Sequence, residues 1–151
     1  MTKKITPSME AYLETIKKIE REKKIVRVKG IARRLNVKMP SVTEALQNLS
    51  NEGLIKHEKY GYVELTHQGN ELAEEMNLRH QALFSFFTEV LGIEPERADD
   101  DACKIEHVIS EATMKRLVKF VRFIKDCIGQ EGDLLEDFKG YLEGKKGLSR
   151  K

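Results

Sequence analysis

Apolar positions recur at helical spacing along most of the chain, and strand-like character is confined to one short stretch. Met9, Tyr12, Leu13, Ile16 and Ile19 follow the 3.6-residue period and predict a helix over 7–22, with Pro7 in its first turn or Ser8 as its cap. A short amphipathic helix is predicted over 26–35, its basic positions outward. Asn36-Val37-Lys38-Met39 breaks it. Pro40 then opens a third helix through Leu49, with Val42, Ala45, Leu46 and Leu49 on its inner face. Gly53 ends that helix. Leu54-Ile55 and residues 62–65 read as short strands, joined by a turn at Lys59-Tyr60-Gly61.

The second half of the pattern is wholly helical. A long helix is predicted over 68–91, with a broad apolar stripe that suits an oligomer or domain interface. Pro95 starts another helix, over 95–109. Ser110 caps the next, which runs to Gly129. A last helix is expected over 132–143, with Leu134, Leu135, Phe138 and Leu142 inward. Residues 144–151 read as a polar, mobile tail.

Two short helices joined by a tight turn and followed by a two-stranded wing form a winged helix-turn-helix, which places its second helix in the DNA major groove. The predicted fold is therefore mainly α. Residues 1–70 form a winged-helix DNA-binding domain and residues 71–143 an all-helical second domain. Charge agrees with this division. Residues 1–70 carry 14 Lys+Arg against 8 Asp+Glu, whereas residues 71–151 carry 13 against 17. A basic half suits an anionic partner. Arg27, Lys29, Arg33, Lys38, Lys56 and Lys59 are the candidate phosphate contacts, and Ser41, Thr43 and Glu44 the candidate base-edge contacts.

Composition narrows the compartment. No apolar run approaches the roughly 18 residues of a membrane span, and the N-terminus has no apolar core of a signal peptide. There are two cysteines, Cys103 and Cys127, which fits a reducing compartment better than a disulfide framework. A cytoplasmic protein without membrane partners is expected. Cys127 reads as a buried helix residue.

Cys103 reads differently. In a helix, Cys103, Glu106 and His107 stand at i, i+3 and i+4 and share one face. Thiolate, carboxylate and imidazole are all metal-ligand types. Asp99, one turn earlier, could join that face, although three consecutive aspartates also suit a helix N-terminus. Ligands from elsewhere are needed to close a site, and His80, Glu10 and Glu14 are the candidates. The mixed donor set suits an exchangeable regulatory ion better than structural zinc.

These residues resemble the metal-dependent repressors of the diphtheria toxin repressor family, in the short branch of the manganese transport regulators. The resemblance is carried by Ser8-Met9-Glu10-Ala11-Tyr12-Leu13-Glu14, by Pro40-Ser41-Val42-Thr43, by Leu65-Thr66-x-x-Gly69, by Arg79-His80, and by Cys103-x-x-Glu106-His107-x-x-Ser110. It implies ligand roles for Glu14, His80, Cys103, Glu106 and His107. Cysteine at 103 is similar to the iron-responsive branch, and Glu14 to the manganese branch. Ala11 stands where the family places a Met or Asp ligand, and Phe84 where it often places a carboxylate.

The function so implied is a homodimeric repressor. Loaded with Fe2+ or Mn2+ (Zn2+ and Co2+ being further candidates), it binds palindromic double-stranded operator DNA and controls metal-uptake genes. Two other functions compete: a winged-helix regulator whose Cys/Glu/His cluster is only structural, and a small metalloenzyme. No paired base and nucleophile, phosphate loop or organic-substrate motif supports an enzyme.

Overall fold

The computed structural model describes residues 5–23, 25–58, 61–128 and 134–144. Among these the chain is mainly helical, with one two-stranded sheet. It divides into two units, residues 1–78 and 79–151.

In the first unit, helix α1 (Pro7–Lys23) buries Tyr12, Leu13, Ile16 and Ile19, the stripe marked by the helical period. Helix α2 (Val28–Leu35) ends at Asn36, which adopts a left-handed conformation at φ 53. A short polar side chain tolerates that region better than most. The next N–H, of Val37, returns to the Ala32 carbonyl at 3.0 Å, which tightens the turn. Helix α3 (Met39–Asn51) follows at once, with Pro40 in its first turn. Val42, Leu46 and Leu49 point inward and are fully buried, while Ser41, Thr43, Glu44, Gln47 and Asn48 are exposed.

Strands β1 (Ile55–His57) and β2 (Val63–Leu65) pair antiparallel, with Ile55 opposite Leu65 and His57 opposite Val63. Two expected boundaries are corrected here. Helix α2 starts at Val28 rather than 26, because the Val26 carbonyl accepts the Val63 N–H at 3.0 Å and ties that residue to the wing. The first strand starts at Ile55 rather than Leu54, because the Leu54 N–H closes the α3 terminus on the Leu49 carbonyl at 3.0 Å. Lys59 and Tyr60, expected at the wing tip, lie outside the described residues.

One core joins these elements, centred on Leu13, Ile16, Ile31, Leu46, Leu49 and Leu54. Each such side chain contributes about 1.5–3 kcal/mol on burial. Helix α4 (His67–Ser85) begins where Thr66 caps it. The Thr66 hydroxyl donates to the Gly53 carbonyl at 2.7 Å and accepts the Gly69 N–H at 3.1 Å.

Helix α4 runs through the division between the units. It gives way to a π-helical turn over Phe86–Val90, where an α-helix to 91 is predicted. In this wider turn the Leu91 N–H reaches the Phe86 carbonyl at 3.0 Å, and Phe86 stands edge-on to Phe120 at 6.2 Å. Helices α5 (Pro95–Ile105), α6 (Glu111–Ile128) and α7 (Leu134–Leu142) complete the second unit. Its core is Leu83, Ala102 and Met114, flanked by Phe84, Phe87, Ile105, Leu117 and Val118.

Helix α5 stops at Ile105, four residues short of its predicted end. The Val108 and Ile109 N–H groups both return to the Ile105 carbonyl at 3.0 Å, so the chain tightens into a turn. Ser110 then caps α6, its hydroxyl oxygen accepting the Thr113 N–H at 3.2 Å. Leu134 and Leu142, expected inward, are exposed on α7. The side chain of Cys127 and the tail from 145 onward lie outside the described residues. Among those described, no helix is long and apolar enough to cross a membrane.

A Cβ built on Gly69 would lie 1.9 Å from the Leu54 carbonyl oxygen, a backbone atom that cannot swing aside. Gly69→Ala is expected to destabilise the first unit by about 3 kcal/mol or more, read as a lower urea midpoint with an unchanged m-value.

Candidate metal centre and nucleic-acid interface

The second unit gathers its titratable side chains around Glu106. Position 106 closes α5 with near-helical backbone angles, and its N–H bonds to the Ala102 carbonyl at 2.9 Å. Its side chain is fully buried. One carboxylate oxygen, Oε2, lies 2.8 Å from His80 Nδ1, and the other, Oε1, lies 3.1 Å from His107 Nε2. His80 comes from α4, 26 residues away in sequence. Its Nε2 faces the Asp99 carboxylate at 2.9 Å. Arg79 donates to the Glu106 carbonyl at 3.4 Å.

A charged carboxylate taken out of water needs strong compensating partners. The His80 imidazole supplies a hydrogen bond here, and the His107 ring stands within ion-pair distance of the second oxygen. The hydrogen bond that Glu106 accepts from His80 holds the His80 pKa above the ordinary histidine range, against the lowering effect of burial, and Asp99 adds to the rise. Phe84 lies nearly parallel to the His80 ring, 12° apart, where the resemblance would often place a further carboxylate.

Imidazole nitrogen and carboxylate oxygen are donor types that suit a divalent transition metal, and Glu106 carries one imidazole at each of its oxygens. His80, Glu106 and His107 are thus brought together, with Asp99 behind His80. Glu106 closes α5 with helical backbone angles and is buried, His107 follows it in the turn, and Cys103, three residues before Glu106 on the helix, is exposed. Glu14 belongs to the first unit, where it is buried on α1 and pairs with Lys18 at 2.7 Å. That ion pair with a lysine one turn on is the local reading its sequence spacing allows. Glu10, also on α1, is half-buried.

The first unit carries the candidate DNA contacts. Arg27, Lys29, Arg33 and Lys38 are exposed on or beside α2 and the turn, and Lys56 is exposed on β1. Ser41, Thr43 and Glu44 are exposed on the N-terminal half of α3. The Thr43 hydroxyl donates to the Met39 carbonyl at 3.1 Å and keeps its acceptor capacity. Arg27, Lys29, Arg33 and Arg34 line an open groove of about 560 Å³ floored by Ile19 and Ile25. Arg34 is engaged by Glu22 through two bonds of 2.6 and 2.7 Å.

Sequence reasoning missed two supports. Tyr62 of the wing lies under the Arg27 guanidinium, 5.2 Å from ring centroid to Cζ. Asp99 reaches His80 itself. Its spacing of one turn before Cys103 was the available signal, but that spacing says nothing of α4.

A winged helix followed by a helical unit with a His/Glu/His cluster defines the class of metal-dependent DNA-binding regulators. The comparisons with known proteins agree. Residues 4–63 match the iron dependent repressor N-terminal DNA binding domain, and residues 66–133 match its metal binding and dimerisation domain. The HTH-type transcriptional regulator MntR of Oceanobacillus iheyensis is 35% identical over 134 residues, covering 89% of this chain and 90% of that protein. MntR of Bacillus subtilis is 33% identical over 129 residues, covering 85% and 90%. The chain belongs to the iron-dependent, or diphtheria toxin, repressor family of transcriptional regulators, in the branch of the manganese regulators.

Solved structures are similar too. A manganese-dependent transcriptional repressor in complex with manganese superposes with a TM-score of 0.70 at 29% identity, covering 76% of this chain and 53% of that one. The IdeR protein of T. acidophilum gives 0.67 at 28% identity, covering 80% and 55%. The chain spans about half the length of these solved relatives.

In the metal-free protein, the His80 imidazole is expected to titrate above free histidine, and Glu106→Gln is expected to bring it down. Stability drawn from this contact is complete below the unfolded value, about 6.5. It is lost as pH rises through the raised folded value. Imidazole C–H resonances followed by NMR across pH 5–9 check both the direction and its cause.

Proposed function

We propose that this chain is a cytoplasmic, homodimeric repressor that binds palindromic operator DNA when loaded with a divalent metal, Fe2+ or Mn2+, with Zn2+ and Co2+ as competitors. The observation that carries the reading is the buried Glu106 carboxylate between His80 and His107, in a chain whose other unit is a winged helix. The family resemblance adds Glu14 and Cys103 to these three as ligands. It also suggests uptake genes for the same metal as targets, and an activity that is regulatory and not enzymatic. The working division is a DNA-binding domain over 1–70, a metal-binding and dimerisation domain over 71–143 and a tail over 144–151.

A bound divalent ion supplies positive charge that neutralises the carboxylates. Without that charge, His80 holds a proton toward Glu106, and Glu14 is left to its pairing with Lys18. With it, His80, Glu106, His107, Cys103 and Glu14 become mutually compatible donors. The family resemblance implies that Glu14, as a ligand on α1, would make the ion a restraint on the DNA-binding domain. Metal and DNA must then raise each other's affinity by the same factor. Phe120 and Phe123, both exposed on α6, offer apolar surface for the dimer. Arg27, Lys29, Arg33, Lys38, Lys56 and Lys59 neutralise phosphates, while Ser41, Thr43 and Glu44 on α3 meet base edges.

Operator binding is expected to rise with Fe2+ or Mn2+ in anaerobic buffer and to fall with excess chelator by about 5–150-fold, the usual span of a coupling energy. Unchanged affinity in chelator would favour a metal-independent regulator. Cys103→Glu is expected to move the ranking of Fe2+, Mn2+, Zn2+ and Co2+ towards Mn2+, measured by the same binding assay. Arg33→Ala is expected to weaken binding to every sequence alike and to reduce the slope of log K against log salt by about 0.9.

A further inference from the structure

His80 has a carboxylate at each ring nitrogen. Nδ1 lies 2.8 Å from Glu106 Oε2, and Nε2 lies 2.9 Å from Asp99 Oδ1. An imidazole that gives one nitrogen to a cation keeps its proton on the other, and the partner of that N–H decides which nitrogen is which. The two sides of this ring are unlike. On the Nδ1 side, the Glu106 carboxylate is fully buried and its second oxygen faces His107 Nε2 at 3.1 Å. On the Nε2 side there is a carboxylate whose side chain is 67% exposed. The first side faces a buried carboxylate and the second a carboxylate that water can reach.

The geometry points to Asp99 as the positioning residue of the metal centre: it accepts the His80 Nε2–H and so leaves Nδ1, on the Glu106 side, for the cation. The inference rests on the metal centre proposed above and assigns Asp99 no direct bond to the ion. Phe84 lies near the ring, its centroid 6.4 Å away and its plane 12° from parallel, and a carboxylate aims the imidazole. Asp100, the next residue, points its carboxylate to Lys104 one turn on. The three consecutive aspartates of α5 therefore do not act alike. Charge at a helix N-terminus accounts for all three equally. It does not account for the contact of Asp99 with α4.

The test uses the full chain with Asp99→Ala, and Asp100→Ala as a control of the same charge. Zn2+ and Mn2+ affinities are measured by competition with a chelating dye. In parallel, 15N-histidine spectra are recorded on the Zn2+-loaded protein. The expected result is a 10–100-fold loss of affinity in Asp99→Ala, the range for removal of an orienting partner, and little change in Asp100→Ala. In the wild type, His80 should carry its proton on Nε2 and its metal on Nδ1. In Asp99→Ala that single tautomer should give way to a mixture, which a general charge effect would not produce. Equal affinities and spectra in Asp99→Ala and wild type overturn the inference, as does zinc found on Nε2. Failure of the wild-type protein to bind either ion would overturn the metal centre itself, and this inference with it.

Discussion

A carboxylate with no exposed surface sets the terms for the second unit. Glu106 sits at the end of α5 with imidazoles against both of its oxygens. An isolated buried carboxylate is strongly disfavoured, and hydrogen bonds from partly charged donors compensate only when their geometry is good. His80 Nδ1, 2.8 Å from Oε2, provides such a hydrogen bond, and His107 Nε2 stands 3.1 Å from Oε1 as an ion-pair contact. Had α5 continued to 109, no early turn would have released the chain for Ser110 to cap α6. The tightened backbone at Ile105, the cap at Ser110 and the inward turn of Glu106 are parts of one arrangement. His80 then becomes the link between α4 and α5, and the Phe84 ring lies nearly parallel to it.

The first unit is organised by close backbone contacts. Asn36 in the left-handed region and the Val37 return bond set the short turn between α2 and α3. Gly69 lets α4 pass against the Leu54 carbonyl. Val26 is tied to Val63, so the chain entering α2 is fixed to the wing. Arg27 follows directly and rests on Tyr62. A basic residue at the start of the helix-turn-helix is thus positioned by the wing, which joins two parts of a DNA-binding surface that look separate in sequence. Arg34 illustrates the opposite case. It is basic and exposed, but two bonds to Glu22 occupy its guanidinium.

Much of this was legible from residue order, because the signals are local. Apolar spacing gave α1, α3 and the inner face Val42, Leu46 and Leu49, since a helix repeats its neighbours every three to four residues. Pro40, Gly53 and Ser110 act through their own backbone or their own hydroxyl, and they stand where those properties place them. The candidate donors were legible as types. Their arrangement was not. Spacing placed Cys103, Glu106 and His107 near one another, but it did not say that Glu106 would be buried while Cys103 stays exposed, because burial depends on what packs against α5.

The sequence by itself determined a winged helix-turn-helix with a basic surface, a helical second half and a short list of metal-ligand side chains. Tertiary structure decided what those side chains face. Asp99 meets His80 across 19 residues, and Glu106 meets it across 26. Such contacts depend on how one helix packs on another, and helical periodicity describes only the helix that carries it. The π-helical turn at Phe86–Val90 belongs with them: a widened turn of this kind accompanies packing such as that of Phe86 on Phe120, which no local propensity encodes.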